Sequence, residues 1–191
     1  MFFGIESAQH SDTLSAFNVL FNNEEFGTII EIGPAWGALT IFFGLYGIVH
    51  NCEVHSFDIN NPWEIGRHRG IPLSQKSITD LKINFSKEDV FSDETSNKII
   101  SLIQKPQRCL LLCDGGDKKR EFNLFSKHLK SRDTIMAHDY GYNSEVFKQK
   151  SKMAVMEITF ADISDSCKEN NLEFYYSEIF DPVAWVCMGK K

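Results

Sequence analysis

The chain has 191 residues, 42% of them hydrophobic, enough for one domain with a full core over residues 1–191, and it shows no linker, low-complexity tract or internal repeat. A formal net charge of −6 argues against a dedicated nucleic-acid binder. Five cysteines, at 52, 109, 113, 167 and 187 with no C-x-x-C pair, and an opening Met1-Phe2-Phe3 without the basic region of a secretory signal point to a reducing compartment, the cytoplasm.

The polar opening from Gly4 to Asp12 reads as irregular, and Ser11 or Asp12 is placed to cap a helix over Thr13 to Asn22, whose Leu14, Phe17, Leu20 and Phe21 share a face. Thr28 to Ile32 is a β-branched run, the pattern of a strand buried on both faces. Gly33-Pro34-Ala35-Trp36-Gly37 breaks it, and Ala38 to Tyr46 continues as an apolar helix. Strand, glycine turn and helix together bring backbone N–H groups and a helix N-terminus towards a nucleotide-like ligand. Gly33 permits the tight turn and Gly37 a close approach of the ligand. Residues 32–52 carry no charged side chain, long enough on paper to span a bilayer, but Pro34, the glycines and the lack of basic anchors argue against a span. A plain βα unit without a ligand is the other reading, because Gly-x-x-x-Gly alone is a weak motif.

Glu53 to Asp58 alternates and predicts a second strand. Asp58, 25 positions beyond Gly33, is placed to accept both ribose hydroxyls of an adenosine, or simply to serve the turn. Residues 61–79, with Trp63, Arg67, His68 and Arg69 between Pro62 and Pro72, read as a substrate rim or a surface crossing. Leu81 to Phe85 predicts a third strand, and Asp89 beyond it stands where an adenine amino group is held. Ser92 or Asp93 caps a helix running to Gln104.

Cys109 to Cys113 is the unbroken apolar run of a central parallel strand, ending in Asp114-Gly115-Gly116-Asp117. A helix over Lys118 to Leu129 and a fifth strand over Thr134 to Ala137 follow, the latter ending in His138-Asp139-Tyr140. Because parallel strands open their carboxyl ends into one crevice, Asp114, Asp117, His138 and Asp139 are expected to converge there. Carboxylates with an imidazole suit a divalent cation such as Mg²⁺ or a general base, turn chemistry being the simpler account. The basic stretch 105–152, with 11 Lys or Arg against 6 Asp or Glu, reads as a solvated face or as a surface steering an anionic substrate. Ile158 to Glu169 predicts a helix. Leu172 to Tyr176 and Val183 to Cys187 predict two strands, joined through Asp181-Pro182 as an antiparallel hairpin, with Trp185 in the core.

Gly4, Gln9 and Asp12 ahead of the first helix, Glu31-Ile32-Gly33-Pro34-Ala35-Trp36-Gly37, Asp114-Gly115-Gly116 and His138-Asp139-Tyr140 carry a resemblance. Together they resemble the class I S-adenosylmethionine-dependent methyltransferases: a Rossmann-like α/β sandwich on a seven-stranded, mainly parallel sheet of order 3-2-1-4-5-7-6, ending in an antiparallel hairpin. Within that fold the chain is similar to the cephalosporin hydroxylase-like and macrolide or sugar O-methyltransferase group, in a short form common in tailed-phage genomes. The resemblance implies that Glu31, Gly33, Pro34, Trp36 and Gly37 line the methionine part of S-adenosylmethionine, Asp58 and Ile59 the ribose, and Asp89 and Val90 the adenine, with Asp114 beside the cofactor. It further implies Asp114, Asp139 and His138 as ligands of Mg²⁺ or another divalent cation, and His138 and Asp117 as catalytic groups. Two departures alter the set: Asp117 stands where the group has a His, and His138-Asp139 where it has two acids. The implied activity is O-methylation of a small-molecule or sugar hydroxyl, by a protein that is a possible homo-oligomer, in the host cytoplasm if phage-encoded. The alternative is a cofactor-binding module of the same fold that does not catalyse.

Overall fold

Strand-forming runs alternate with amphipathic ones through the computed structural model, which describes residues 2–5, 7–61 and 75–191. The first half runs α1 (Thr13–Asn23), β1 (Thr28–Ile32), α2 (Ala38–His50), β2 (Glu53–Asp58), α3 (Gln75–Asp80), β3 (Ile83–Lys87), α4 (Asp93–Ile103) and β4 (Cys109–Cys113). The second runs α5 (Lys118–Phe125), β5 (Thr134–Ala137), β6 (Tyr140–Gly141), α6 (Ser144–Lys150), β7 (Ile158–Thr159), α7 (Phe160–Glu169), β8 (Leu172–Phe174), α8 (Ser177–Phe180) and β9 (Val186–Lys190).

Seven strands form one sheet in the order β3-β2-β1-β4-β5-β9-β8. Its neighbours are parallel except β9, which runs antiparallel to both β5 and β8. This is the expected order 3-2-1-4-5-7-6 once the short pair β6–β7, which lies outside the sheet, is left out of the numbering.

The period of two along each strand sorts the core into two layers. Ile29, Leu110, Leu112, Met136 and Cys187 face one side, against Phe17 and Leu20 of α1, Phe43 of α2 and Phe180 of α8. Ile30, Ile32, Cys109, Leu111, Cys113, Ile135 and Val186 face the other, against Ile99 and Ile103 of α4, Phe122 and Phe125 of α5 and Ile163 of α7. Both faces are covered, which is why β1 and β4 are buried along their whole length. Trp185 is fully buried, edge-on to Phe17 at 5.7 Å between ring centroids, as expected of a core residue. All five cysteines are free and buried, and among the described residues no helix is long and apolar enough to cross a membrane.

Several boundaries differ from the sequence expectation, each for a local reason. β3 starts two residues late because Leu81 and Lys82 form the turn that leaves α3, Lys82 with φ of 54°. Ile158 and Thr159, expected to be helical, form β7; Thr159 then opens α7 through a capping box with Asp162. The final strands are antiparallel as expected, but a longer connection joins them, holding α8 and a 3₁₀ turn at Asp181–Val183, so β9 begins at Val186 rather than Val183. Asp12 occupies the N-cap position of α1 without capping it, its carboxylate pairing with Lys152 instead. Ser92 caps α4 as expected. The expected rim segment with Trp63, Arg67, His68 and Arg69 lies outside the described residues.

From β1 the chain winds outward to β2 and β3, then returns to β4 on the opposite side of β1. The connections leaving β1 and β4 therefore diverge to opposite faces of the sheet. The carboxyl ends of those two strands are the topological switch point, where open α/β sheets leave a crevice.

Candidate active site

The parallel ladders carry their register past the strand ends. Gly33 N–H donates to the Phe57 carbonyl at 2.9 Å, Asp114 N–H to the Ile32 carbonyl at 3.0 Å and His138 N–H to the Cys113 carbonyl at 3.1 Å. Gly33, Asp114 and His138 are thereby set side by side on adjacent strands. Gly33 has φ of 78°, and a Cβ built on it would lie 2.3 Å from the Asp114 carbonyl oxygen. Its small size thus lets the loop after β4 approach the loop after β1, a packing role beyond the tight turn expected of it. Gly37, also left-handed at φ of 81°, is the N-cap residue of α2.

Two adjoining cavities open here and share Gly33, Ala35 and Asp114 as their common wall. The first, about 350 Å³, is lined by Glu31, Pro34, Trp36, Asp114, His138 and Asp139, and also by Gln9 and Lys118. The second, about 460 Å³, is lined by Asp58, Ile59, Asp89, Val90 and Phe91 on one side and by Gly115, Gly116, Asp117 and Glu121 on the other. The expected site residues divide accordingly, with the turn and the β5 acid in one chamber and the acids after β2 and β3 in the other. Gly37 lines neither cavity. In this state the Asp58 and Asp89 carboxylates accept from the backbone N–H groups of Asn60 (2.8 Å) and Phe91 (2.9 Å), steadying their own loops. Burial raises the pKa of Asp58 above its ordinary value.

Asp114, His138 and Asp139 come together as expected, one ligand atom from each lying within 4.8 Å of the others. His138 Nδ1 is 3.0 Å from Asp114 Oδ1 and 3.6 Å from Asp139 Oδ1. Burial lowers the pKa of His138, but Asp114 and then Asp139 outweigh it and leave it above the ordinary value. Its Nδ1–H donates to Asp114. Asp139 sits at φ of 53°, a left-handed conformation that is uncommon outside glycine and asparagine and is held here against local preference. Its carbonyl accepts from Glu157 and Ile158 N–H at 2.8 and 3.2 Å, fixing the turn. Asp117 does not join the cluster. Its carboxylate accepts from Arg120 N–H and caps α5, which corrects the expectation that it converges with His138.

Three further side chains at the site were not assigned from the sequence. Gln9 donates its amide to Asp114 Oδ2 at 2.7 Å and accepts from the Trp185 indole N–H at 2.9 Å; that indole also lies against the His138 ring, centroids 4.8 Å apart. Glu121 of α5 accepts from Gly115 and Asp117 N–H at 3.2 and 3.3 Å and so shapes the turn after β4. Lys118 is buried, with Nζ 2.8 Å from Glu157 Oε2, 3.2 Å from Asp139 Oδ2, 3.9 Å from Asp114 Oδ1 and 3.1 Å from the Gly115 carbonyl. The one hint to Lys118 was its place directly after Asp-Gly-Gly-Asp, ahead of an otherwise solvated run of basic residues.

Glu31 is buried between β1, β2 and α2 at the floor of the first cavity. The hydroxyls of Thr40 and Ser56 both donate to its Oε2 at 2.7 Å, and neither engages Oε1. Burial pushes its pKa up to about 7, more than the two hydroxyls pull it down. The folded state therefore holds a proton that the unfolded chain, with a carboxyl at 4.5, has already released. This contribution to stability is present below pH 4.5 and is lost as pH rises towards 7, by up to about 1.4 kcal/mol per pH unit. Urea midpoints of the wild type are expected to fall between pH 5 and pH 7.5, and Glu31→Gln, which keeps both hydroxyl bonds, to fall less. Parallel declines in the two proteins would refute this.

The donor set at Asp114, His138 and Asp139 has the shape of a metal site but not its charge. An ion bound at about 2.1 Å from Asp114 Oδ1 would sit within about 6 Å of the Lys118 ammonium, a repulsion on the order of 5 kcal/mol at an effective dielectric of 20. The imidazole Nδ1 is engaged with Asp114 Oδ1, while Nε2 is buried without a hydrogen-bond partner among the described residues. The Lys118 ammonium thus competes with a divalent ion for the Asp114 and Asp139 carboxylates and disfavours one there.

No family model matches the chain, and no curated protein does. Among solved structures, CmcI in its apo form aligns with a TM-score of 0.68 at 11% identity over 97% of this chain and 73% of that one. CmcI with Mg and SAM aligns at 0.65 and 12% identity over 97% and 74%. A protein of Staphylococcus aureus described as a caffeoyl-CoA O-methyltransferase aligns at 0.54 and 12% over 98% and 86%. The chain has the class I S-adenosylmethionine-dependent methyltransferase fold. Within that class its architecture is of the CmcI type.

Proposed function

We propose that the protein is an S-adenosylmethionine-dependent methyltransferase acting on a hydroxyl of a small molecule or sugar. The observation that carries this reading is the pair of adjoining cavities with Gly33, Ala35 and Asp114 between them. The larger has the lining an adenosine requires: Asp58 for the ribose hydroxyls, Asp89 and Val90 for the adenine edge, Ile59 and Phe91 for its faces. In the smaller, Glu31 Oε1 is free to accept from the amino group of the methionine part, beside Pro34 and Trp36. The methyl group then lies near the common wall, with an acceptor entering from the side of Asp139. CmcI with Mg and SAM, and a CmcI structure with SAH, support the cofactor.

The reaction is an in-line displacement. The acceptor oxygen attacks the methyl carbon, a C–O bond forms, and the C–S electron pair returns to sulfur as the sulfonium becomes a neutral thioether. The hydroxyl proton passes to Asp139, which Lys118 and the left-handed turn hold against the cavity. His138, already donating to Asp114, orients that carboxylate, and Gln9 fixes its other oxygen. Alignment is the main contribution of the protein, followed by proton transfer.

The test is turnover with methyl-labelled S-adenosylmethionine against a panel of hydroxylated acceptors, including sugars and catechols. Label transfer with one acceptor class, lost in Asp139→Asn, is the expected result. Cofactor binding without transfer to any acceptor would favour the non-catalytic module instead.

A further inference from the structure

We propose that the Lys118 ammonium is the resident cation of the smaller cavity, standing in for a divalent ion, so that the protein works without a bound metal. The proposal deepens the methyltransferase reading and rests on it for the cation's role, but the arrangement of charges stands by itself.

Lys118 is the first residue of α5, whose start is set by the Asp117 cap. From there its side chain turns back over its own loop. An ammonium has three N–H donors, and three acceptors are within reach: Glu157 Oε2 at 2.8 Å, the Gly115 carbonyl at 3.1 Å and Asp139 Oδ2 at 3.2 Å. Asp114 Oδ1 adds a fourth oxygen at 3.9 Å. These oxygens come from the loops after β4 and β5 and from the segment before β7, three separate stretches of chain. One lysine thus ties together the walls of the cavity. The side chain is 8% exposed, so the charge is held by these oxygens and not by bulk water.

A cation at this place does what a Lewis acid would do by charge alone. It lies beside the carboxylate that receives the acceptor's proton, and it offsets the negative charge that develops on the acceptor oxygen as that proton leaves. The imidazole, with Nδ1 3.0 Å from Asp114 Oδ1, closes a lysine-centred cluster.

The experiment is titration with Mn²⁺, read by electron paramagnetic resonance of the free ion, which does not depend on methyl transfer. The wild type is expected to show no saturable site up to about millimolar Mn²⁺. Lys118→Met, which keeps the length of the side chain and removes the charge, is expected to bind at least tenfold more tightly, and the double variant with Asp139→Asn to lose that gain. Saturable wild-type binding that Asp139→Asn removes would overturn the proposal, as would a folded Lys118→Met with no gain in affinity. Should Lys118→Met fail to fold, Lys118→Gln and the wild-type titration decide it on the same terms. Failure to find a methyl acceptor would bear on the functional reading and leave this result untouched.

Discussion

Gly33→Ala is expected to destabilise the protein by more than about 3 kcal/mol and to abolish cofactor binding. Two independent costs add at this position. The backbone has φ of 78°, and the new methyl would lie 2.3 Å from the Asp114 carbonyl oxygen and 2.5 Å from its carbon. Neither neighbour can give way. Asp114 N–H is bonded to the Ile32 carbonyl at 3.0 Å, and Gly33 N–H to the Phe57 carbonyl at 2.9 Å, so separating the loops breaks the sheet at its switch point. Gly116→Ala is the matched control: a Cβ there meets nothing within 4 Å, and its effect is expected within about 0.5 kcal/mol. Urea midpoints of the three proteins check this. A Gly33→Ala protein within about 1 kcal/mol of the wild type would mean that the two loops do not pack as described.

Asp58→Ala is expected to weaken S-adenosylmethionine binding by about 100-fold or more. Two charge-assisted hydrogen bonds to vicinal hydroxyls are together worth about 3 kcal/mol, and each 1.4 kcal/mol is a factor of ten. Because Asp58 also accepts from Asn60 N–H at 2.8 Å, the alanine variant loosens the loop as well. Asp58→Asn separates the effects, since its amide oxygen still accepts from Asn60 while the anion is gone. Unchanged thermal stability with at least tenfold weaker binding is expected for Asp58→Asn. Asp89, which faces a single exocyclic amino group in this reading, is expected to cost less. Equal affinity of wild type and Asp58→Asn would remove Asp58 from the cofactor site.

The architecture was legible where the signal is local. Thr28–Ile32, Glu53–Asp58, Cys109–Cys113 and Thr134–Ala137 have the bounds that the hydrophobic runs indicated, because central parallel strands buried on both faces need continuous apolar sequence. The edges were less legible. β3 and β9 are displaced along the chain, and α8 is inserted between the last strands, because turn geometry and not periodicity decides those boundaries. Of the candidate site, the residues at strand ends could be named, since the parallel sheet delivers them to one edge. What sequence spacing does not carry is the pairing between distant segments. Gln9 reaches Asp114 across 105 positions and Trp185 across 176, and Lys118 meets Glu157 across 39. Asp117 was misjudged for the complementary reason: an acid one residue before a helix is claimed by the helix N-terminus first.

In the proposed function, the chambers around Asp58 and Glu31 together form a pocket for S-adenosylmethionine. Calorimetric titration of the purified protein with S-adenosylhomocysteine, the reaction product, tests it most directly. One site with Kd on the order of micromolar, about −8 kcal/mol, weakened by Asp58→Asn, is expected. A folded protein that gives no heat of binding at millimolar ligand would contradict it.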